Sequence, residues 1–481
     1  MANINSAYDI AGDMIAKLMG SQAITADVSK DCSDCMPTDN INSCIFDTVE
    51  DALAAAKEGY KALGKLTLAE RADIINNIRK AARQYAEKLS KIEIEETGMG
   101  RYEDKVRKLL FTVDKTPGIE DIKPEAYAGD CGLTVIERVP FGVVCCITPS
   151  TGPVNTAFHN TICMIAAGNS VIFSPHPNAI KCSLEAIKVI NDAIVEVGGP
   201  ANIINVVNKA SLEITNKILE DPYVKMVVAT GGPAIVDKVL SSGKKAIGAG
   251  PGNPPAMVDE TADIVNAARC IVAGSHFENG IQCIGEKEIL VVDSVADQLI
   301  AEMLKCGAYL LTDKGDIDRL TQLVTVSEGP NKDWIGKDPY LILKAIGIEA
   351  PENTKTIIFE APRDHIIAND EYLMSIIPVI RCKDADEAIE LSVFYEGGRR
   401  HSAMIHSKNV STLTKFVKAI GSTIVVKNGP SYAGLGLGGE GYMTLTVAGP
   451  TGEGITSPKT FTRMQRCVLV GDFNLRGSYP L

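Results

Sequence analysis

The chain has 481 residues, too many for one compact core, which stops growing at about 250–300 residues, so two or three domains are expected. Hydrophobic residues make up 45% and charged residues 22%, the balance of an ordinary globular protein, which excludes collagen, coiled coil and whole-chain disorder. Forty-eight basic against 60 acidic side chains leave a net charge of −12, which argues against general nucleic-acid binding, since that needs a basic footprint.

Residues 4–19 place Ile4, Tyr8, Ala11, Ile15 and Leu18 at three- and four-residue steps, with Asn5, Asp9, Asp13 and Lys17 opposite, predicting a short amphipathic helix. Its two aspartates do not fit a secretory signal. Residues 21–42 are rich in Ser, Asp and Thr and read as a linker. A lone helix on such a tether cannot bury its stripe alone; it either docks on its own protein or enters another protein's groove. Thr48–Leu63 and Thr67–Leu89 follow as helices, with capping-box spacing at Thr48/Asp51 and Thr67/Glu70.

From Val135 to Val292 short β-branched runs alternate with helical stretches. Val143–Ile147, Ser170–Phe173, Ala201–Val207, Val224–Ala229 and Ala256–Val258 read as strands, and Cys182–Val197 and Ala234–Ser241 as helices. This alternation predicts right-handed βαβ units and a parallel sheet covered on both faces. A second alternating block runs from Glu288 to Val426, and the tail from Met443 returns to strand-like residues. Thirteen cysteines without framework spacing fit a reduced, cytoplasmic setting in which most are small buried hydrophobes. Cys32 and Cys35 have no second pair to complete a zinc site, and no metal is expected. No apolar run approaches the roughly 20 residues of a membrane span.

Three stretches carry chemistry. In HFENGIQCIGEKEIL (276–290), Cys283 follows a glycine-bearing turn and precedes a strand, where backbone N–H groups can lower a thiol's pKa and bind an oxyanion; taken alone, a buried structural cysteine fits as well. Thr230-Gly231-Gly232-Pro233 ends a strand and opens a helix, so backbone N–H groups can approach a pyrophosphate at the positive helix end. Gly434, Gly436 and Gly439 also spell Gly-x-Gly-x-x-Gly, but strand-like residues follow instead of a helix, and the segment reads as a loop near the substrate entrance.

These stretches, with 139–179 and 246–264, resemble in order and spacing the aldehyde dehydrogenase superfamily, and more closely its coenzyme A-acylating branch, the propionaldehyde and acetaldehyde dehydrogenases of bacterial microcompartments. The resemblance covers residues 43–481. It implies an α/β fold with a Rossmann-type NAD-binding domain (43–126 and 141–247), an α/β catalytic domain (248–442) and a small β oligomerisation flap (127–140 and 443–481). It implies Cys283 as nucleophile, which takes up an aldehyde, passes hydride to NAD and retains a thioester. Where hydrolytic members carry a glutamate general base, this chain has Gly248-Ala249-Gly250-Pro251-Gly252. Without that base hydrolysis loses roughly 10²–10⁴-fold. A thiol with pKa about 8.5 needs far less help, so coenzyme A is the expected acyl acceptor over water.

The same resemblance places Thr151, in Pro149-Ser150-Thr151-Gly152, at the oxyanion position, where the branch often carries asparagine in place of Gly152. Ser174 stands where a lysine usually meets the adenosine ribose, so His176 or backbone groups take that contact, unless His176 is only a turn residue. Glu371 matches the glutamate on the nicotinamide ribose, or else is a solvated carboxylate. His401 matches a histidine that can take the coenzyme A thiol proton, or else is a satisfied core histidine. Residues 1–20 look like a helix that docks such enzymes on microcompartment shell or core proteins, and the flap implies a homodimer or homotetramer in the compartment lumen. A hydrolytic aldehyde dehydrogenase and a non-catalytic cargo scaffold are the competing readings.

Overall fold

The computed structural model describes residues 43–327 and 329–475; the predicted N-terminal helix, its linker, and Cys32 and Cys35 lie outside the described residues. The chain begins with β1 (Ile45–Phe46), α1 (Val49–Leu63), α2 (Leu68–Thr97) and α3 (Tyr102–Lys115). Thr48 caps α1 by accepting the Asp51 N–H, and Thr67 and Glu70 form the full reciprocal box on α2. α2 passes the expected end at Leu89 because its charged last turns are not all solvent-facing: Glu93 is buried. It stops at Gly98, whose φ of 65° ends the helix in the left-handed conformation. α3 has no sequence cap and was not foreseen.

β2 (Glu125–Gly129) and β3 (Gly132–Pro140) form a hairpin. Then β4 (Val143–Thr148), α4 (Pro153–Ala167), β5 (Ser170–Pro175), α5 (Ile180–Glu196), β6 (Ile204–Val207), α6 (Leu212–Glu220), β7 (Val224–Thr230), α7 (Pro233–Leu240) and β8 (Lys245–Ala249) alternate. β6 starts at Ile204 instead of Ala201, because Asn202 turns left-handed (φ 65°) and its carbonyl lies against α1, where a Cβ on Gly59 would come within 1.9 Å. The six strands form one parallel sheet, ordered β1-β6-β5-β4-β7-β8. Side chains of β4 alternate between two cores: Val144 and Cys146 enter one, and Val143, Cys145 and Ile147 the other.

A second parallel sheet contains β9 (Pro255–Val258), β10 (Glu288–Val292), β11 (Ala308–Leu311), β12 (Thr356–Glu360), β13 (Ile376–Cys382), β14 (Ser402–His406) and β15 (Ile424–Lys427), ordered β11-β12-β13-β10-β9-β14-β15. The expected strand-like tail holds only a two-residue ladder before β16 (Thr462–Val470), which pairs along β3. β2, β3 and β16 form a separate antiparallel sheet with two open edges and exposed Tyr127, Met464, Val468 and Val470. The fold is the α/β architecture of two parallel sheets and a small β flap. Among the described residues no helix is long and apolar enough to cross a membrane, and no cluster of ligands suits a metal.

Candidate active site

In the first sheet the strand order reverses between β4 and β7, and such switch points open a crevice at the carboxyl ends of strands. Pro149-Ser150-Thr151 leave the end of β4, and Gly231-Gly232 the end of β7. The second sheet presents its amino ends to the same place: Ala249–Gly252 lead into β9, Cys283 into β10, Glu371 into β13 and His401 into β14. Between them lies a cleft of about 600 Å³. Its walls include Pro149, Ser150, Thr151, His176, Thr230, Gly231, Gly232, Cys283 and Glu371.

The turn before the nucleophile candidate is unusual. Glu278, Asn279 and Gly280 take φ of 52°, 54° and 77°, three left-handed residues in succession, and the first two are not glycine. The surroundings hold them. The Glu278 N–H donates to Asp104 Oδ2 at 3.0 Å, and Asn279 Nδ2 donates to the Gly336 carbonyl and Asp338 Oδ1 at 3.1 and 2.9 Å. Buried Lys287 donates to the carbonyls of Gly280 and Gln282 at 2.8 and 3.2 Å, bracing the turn from its other end.

Cys283 is half-buried as a residue, but its thiol is desolvated. Burial pushes the thiol up to about 12, the Glu371 carboxyl adds to the rise, and Lys287 and Lys108 oppose it. The resting sulfur is therefore protonated. Burial also pushes Glu371 up to about 7, against Lys287 and the Gly252 N–H that donates to its Oε1 at 2.9 Å. Gly252 is wedged: a Cβ there would lie 2.5 Å from the Cys283 carbonyl oxygen and 2.9 Å from His401 Cγ.

Behind Cys283 the cleft continues into an inner cavity of about 50 Å³, bordered by Thr151, Gly152, Gln282, Cys283, Leu435 and Lys108 and, among the described residues, lined by no carboxyl group. Under its floor lies a buried charge cluster. Lys105 Nζ donates to Glu93 Oε1 at 2.6 Å and lies 3.3 Å from Glu278 Oε1, while Lys108 Nζ donates to Glu278 Oε2 at 2.5 Å. Burial alone would raise Glu278, but the two lysines outweigh it and hold the carboxyl below its ordinary value.

Two of the expected site residues do not line the cleft. Ser174 is buried and its hydroxyl shares a hydrogen bond with Thr215 at 2.8 Å. His176 and Asn178 stand on that wall, although His176 Nδ1 also accepts the Asn178 N–H in a turn. His401 is buried behind Gly252, with Nδ1 3.0 Å from Ser402 Oγ and Nε2 without a partner among the described residues. Burial and then Lys287 lower it to about 4, so the ring is neutral. Sequence reasoning missed Lys332 and Lys337 on the cleft rim and Lys108 in the inner cavity, since lysines in a loop or a charged helix look solvated.

The cleft suits a dinucleotide. Gly232 caps α7, and a Cβ on Gly232 or Gly250 would meet nothing within 4 Å, so bare backbone faces open space at a helix N-terminus. With Lys332 and Lys337 on the rim, the walls match a diphosphate.

Residues 33–328 match the aldehyde dehydrogenase family. An acetaldehyde dehydrogenase (acetylating) of Bilophila wadsworthia is 42% identical over 97% of this chain and 98% of its own. A propionaldehyde dehydrogenase of Rhodopseudomonas palustris, solved with coenzyme A bound and a cysteine acylated, is 46% identical with a TM-score of 0.89, covering 90% of this chain and 99% of that one. A propionaldehyde dehydrogenase from the Clostridium phytofermentans fucose utilisation bacterial microcompartment is 45% identical with a TM-score of 0.89, covering 90% of this chain and 100% of that one. Variants of that protein have been solved with one cysteine or one histidine changed to alanine, and those two positions are as far apart in sequence as Cys283 and His401.

Proposed function

The chain belongs to the aldehyde dehydrogenase family, and from that premise we propose that it oxidises a short aliphatic aldehyde, propionaldehyde or acetaldehyde, to its acyl-coenzyme A with NAD+. The observation that carries this reading is the inner cavity: it borders Cys283 and, among the described residues, has no carboxyl on its walls to activate water against an acyl group there.

Cys283 passes its proton to solvent in the open cleft and its sulfur bonds to the carbonyl carbon, turning the carbonyl oxygen into an oxyanion. The Cys283 N–H and the Thr151 hydroxyl are the donors assigned to this oxyanion in the proposal. The bound nicotinamide supplies the hydride acceptor, and the cysteine is left as a thioester. The coenzyme A sulfur then bonds to the acyl carbon and the Cys283 sulfur leaves. Neutral His401, whose Nε2 has no partner among the described residues, takes the incoming thiol's proton. Glu371 holds the nicotinamide ribose, its carboxyl fixed by the Gly252 N–H. Gly231, Gly232, Pro149, Ser150 and His176 form the nucleotide wall, and one cleft serves NAD and coenzyme A in turn because both contain adenosine diphosphate.

The open-edged β2-β3-β16 sheet assembles the enzyme into a homodimer or homotetramer, and residues 1–20 dock it on microcompartment shell or core proteins, placing it in the lumen. The test follows NADH from propionaldehyde and acetaldehyde with NAD+ or NADP+, with and without coenzyme A. Sustained turnover only with coenzyme A is expected, and equal turnover to free acid without it overturns the reading.

A further inference from the structure

Lys287 follows the nucleophile closely in the chain and is 2% exposed, yet both of its hydrogen bonds go to main-chain carbonyls, Gly280 at 2.8 Å and Gln282 at 3.2 Å. Lys105 and Lys108 in the floor are each paired with a carboxylate, whereas Lys287 makes no ion pair among the described residues. Burial lowers its ammonium, Glu371 leads the groups that oppose the fall, and the two carbonyl acceptors favour the charged form. A buried cation spent on backbone calls for a reason.

The reason lies in the second carbonyl. The Gln282 C=O and the Cys283 N–H belong to one peptide unit, and a trans peptide sets them on opposite edges of a plane. That carbonyl is held twice, because the Gly285 N–H also donates to it at 3.0 Å. The plane is therefore fixed, and the Cys283 N–H points away from the ammonium and toward its own sulfur, whose pKa it lowers. The other anchor is firm as well: Gly280 is pressed on the Met374 main chain, where a Cβ would come within 2.5 Å of the carbonyl. A cation on the carbonyl end draws electron density through the peptide, so the N–H at the other end becomes a stronger donor.

We infer that Lys287 is a positioning residue for the oxyanion: through the Gln282 carbonyl, its ammonium orients and strengthens the Cys283 N–H that receives the charge formed when sulfur adds to the aldehyde. This rests on the reading of Cys283 as the nucleophile and of its N–H as an oxyanion donor.

The experiment compares two reactions of the same sulfur in the full-length enzyme, at one pH, with NAD+ saturating and coenzyme A left out. Propionaldehyde below saturation gives a burst of NADH by way of an oxyanion. Iodoacetamide alkylates Cys283 with loss of iodide and forms no oxyanion; its rate is read at that residue by mass spectrometry. The ratio of burst rate to alkylation rate cancels the amount of thiolate, which Lys287 also affects. This ratio is expected to fall about tenfold in Lys287→Met, a part of the roughly 10²–10³-fold that a whole oxyanion donor is worth. Lys287→Gln offers an N–H without the charge; its ratio is expected to fall too, and it serves if Lys287→Met does not fold. A ratio unchanged in the variants overturns the proposal, since the two rates falling together mean that the lysine acts on the thiolate or the turn alone. If wild type gives no NADH burst, or Cys283→Ala gives one, the Cys283 reading fails and this inference falls with it.

Discussion

The outer cleft and the inner cavity share Cys283 yet are built by opposite means. The cleft is wide, and much of its wall is backbone at strand ends: Pro149-Ser150-Thr151 after β4, Gly231-Gly232 after β7 and Ala249-Gly250-Pro251 before β9. The inner cavity is small, and its walls are side chains from distant segments, Lys108 from α3, Gln282 beside the nucleophile, and Leu435 and Thr444 from the loop after β15. The first uses the dipoles of fixed backbone; the second uses ionised groups held in a desolvated floor. A site divided in this way can keep one half constant for a shared cofactor while the other half varies with substrate.

Three changes test that contrast. Glu278→Ala leaves Lys108 without its acid and Lys105 with Glu93 alone, and it is expected to lower the unfolding free energy by about 3–5 kcal/mol in urea titration. A loss below about 1 kcal/mol, the scale of exposed pairs, would show that the floor is wetter than its burial indicates. Gly252→Ala acts at the junction, forcing a methyl against the Cys283 carbonyl and the His401 ring. It is expected to cost about 10²-fold in kcat through displacement of the nucleophile, with NAD+ affinity measured separately by fluorescence titration. Equal kcat would mean the turn has slack. The third test is alkylation of the ligand-free enzyme. A thiol raised to about 12 is protonated at neutral pH, so the iodoacetamide rate at Cys283 should rise about tenfold per pH unit from 7 to 10 without levelling. A plateau near pH 8 would break this account of the resting site.

The contrast also explains what was legible in the sequence. Thr230-Gly231-Gly232-Pro233 can be read because strand, turn and helix start are contiguous, and one local geometry fixes where their N–H groups point. The Cys283 turn is legible by motif, but the left-handed conformation of Glu278 and Asn279 is not, since it is held by Asp104, Gly336 and Asp338. Lys105 and Lys108 sit in a run of charges from Glu103 to Lys108 that carries no signal of burial, and only the packing of α2 and the 278 turn against α3 buries them. Ser174 differs in the other direction: its place near the end of β5 fits the resemblance, but its hydroxyl is shared with Thr215 and it does not line the cleft.

The sheet that joins β3 to β16 has a consequence for synthesis on the ribosome. β3 ends at Pro140 and its partner begins at Thr462, so about 320 further residues must be translated before the pairing can close. At about 5–20 residues per second the nascent chain spends roughly 15–60 s with the β2–β3 hairpin offering a bare margin to its neighbours on the same messenger. Polysome spacing and chaperone supply therefore become determinants of yield, and a message carrying sparser ribosomes should favour the native partner over a stranger's strand.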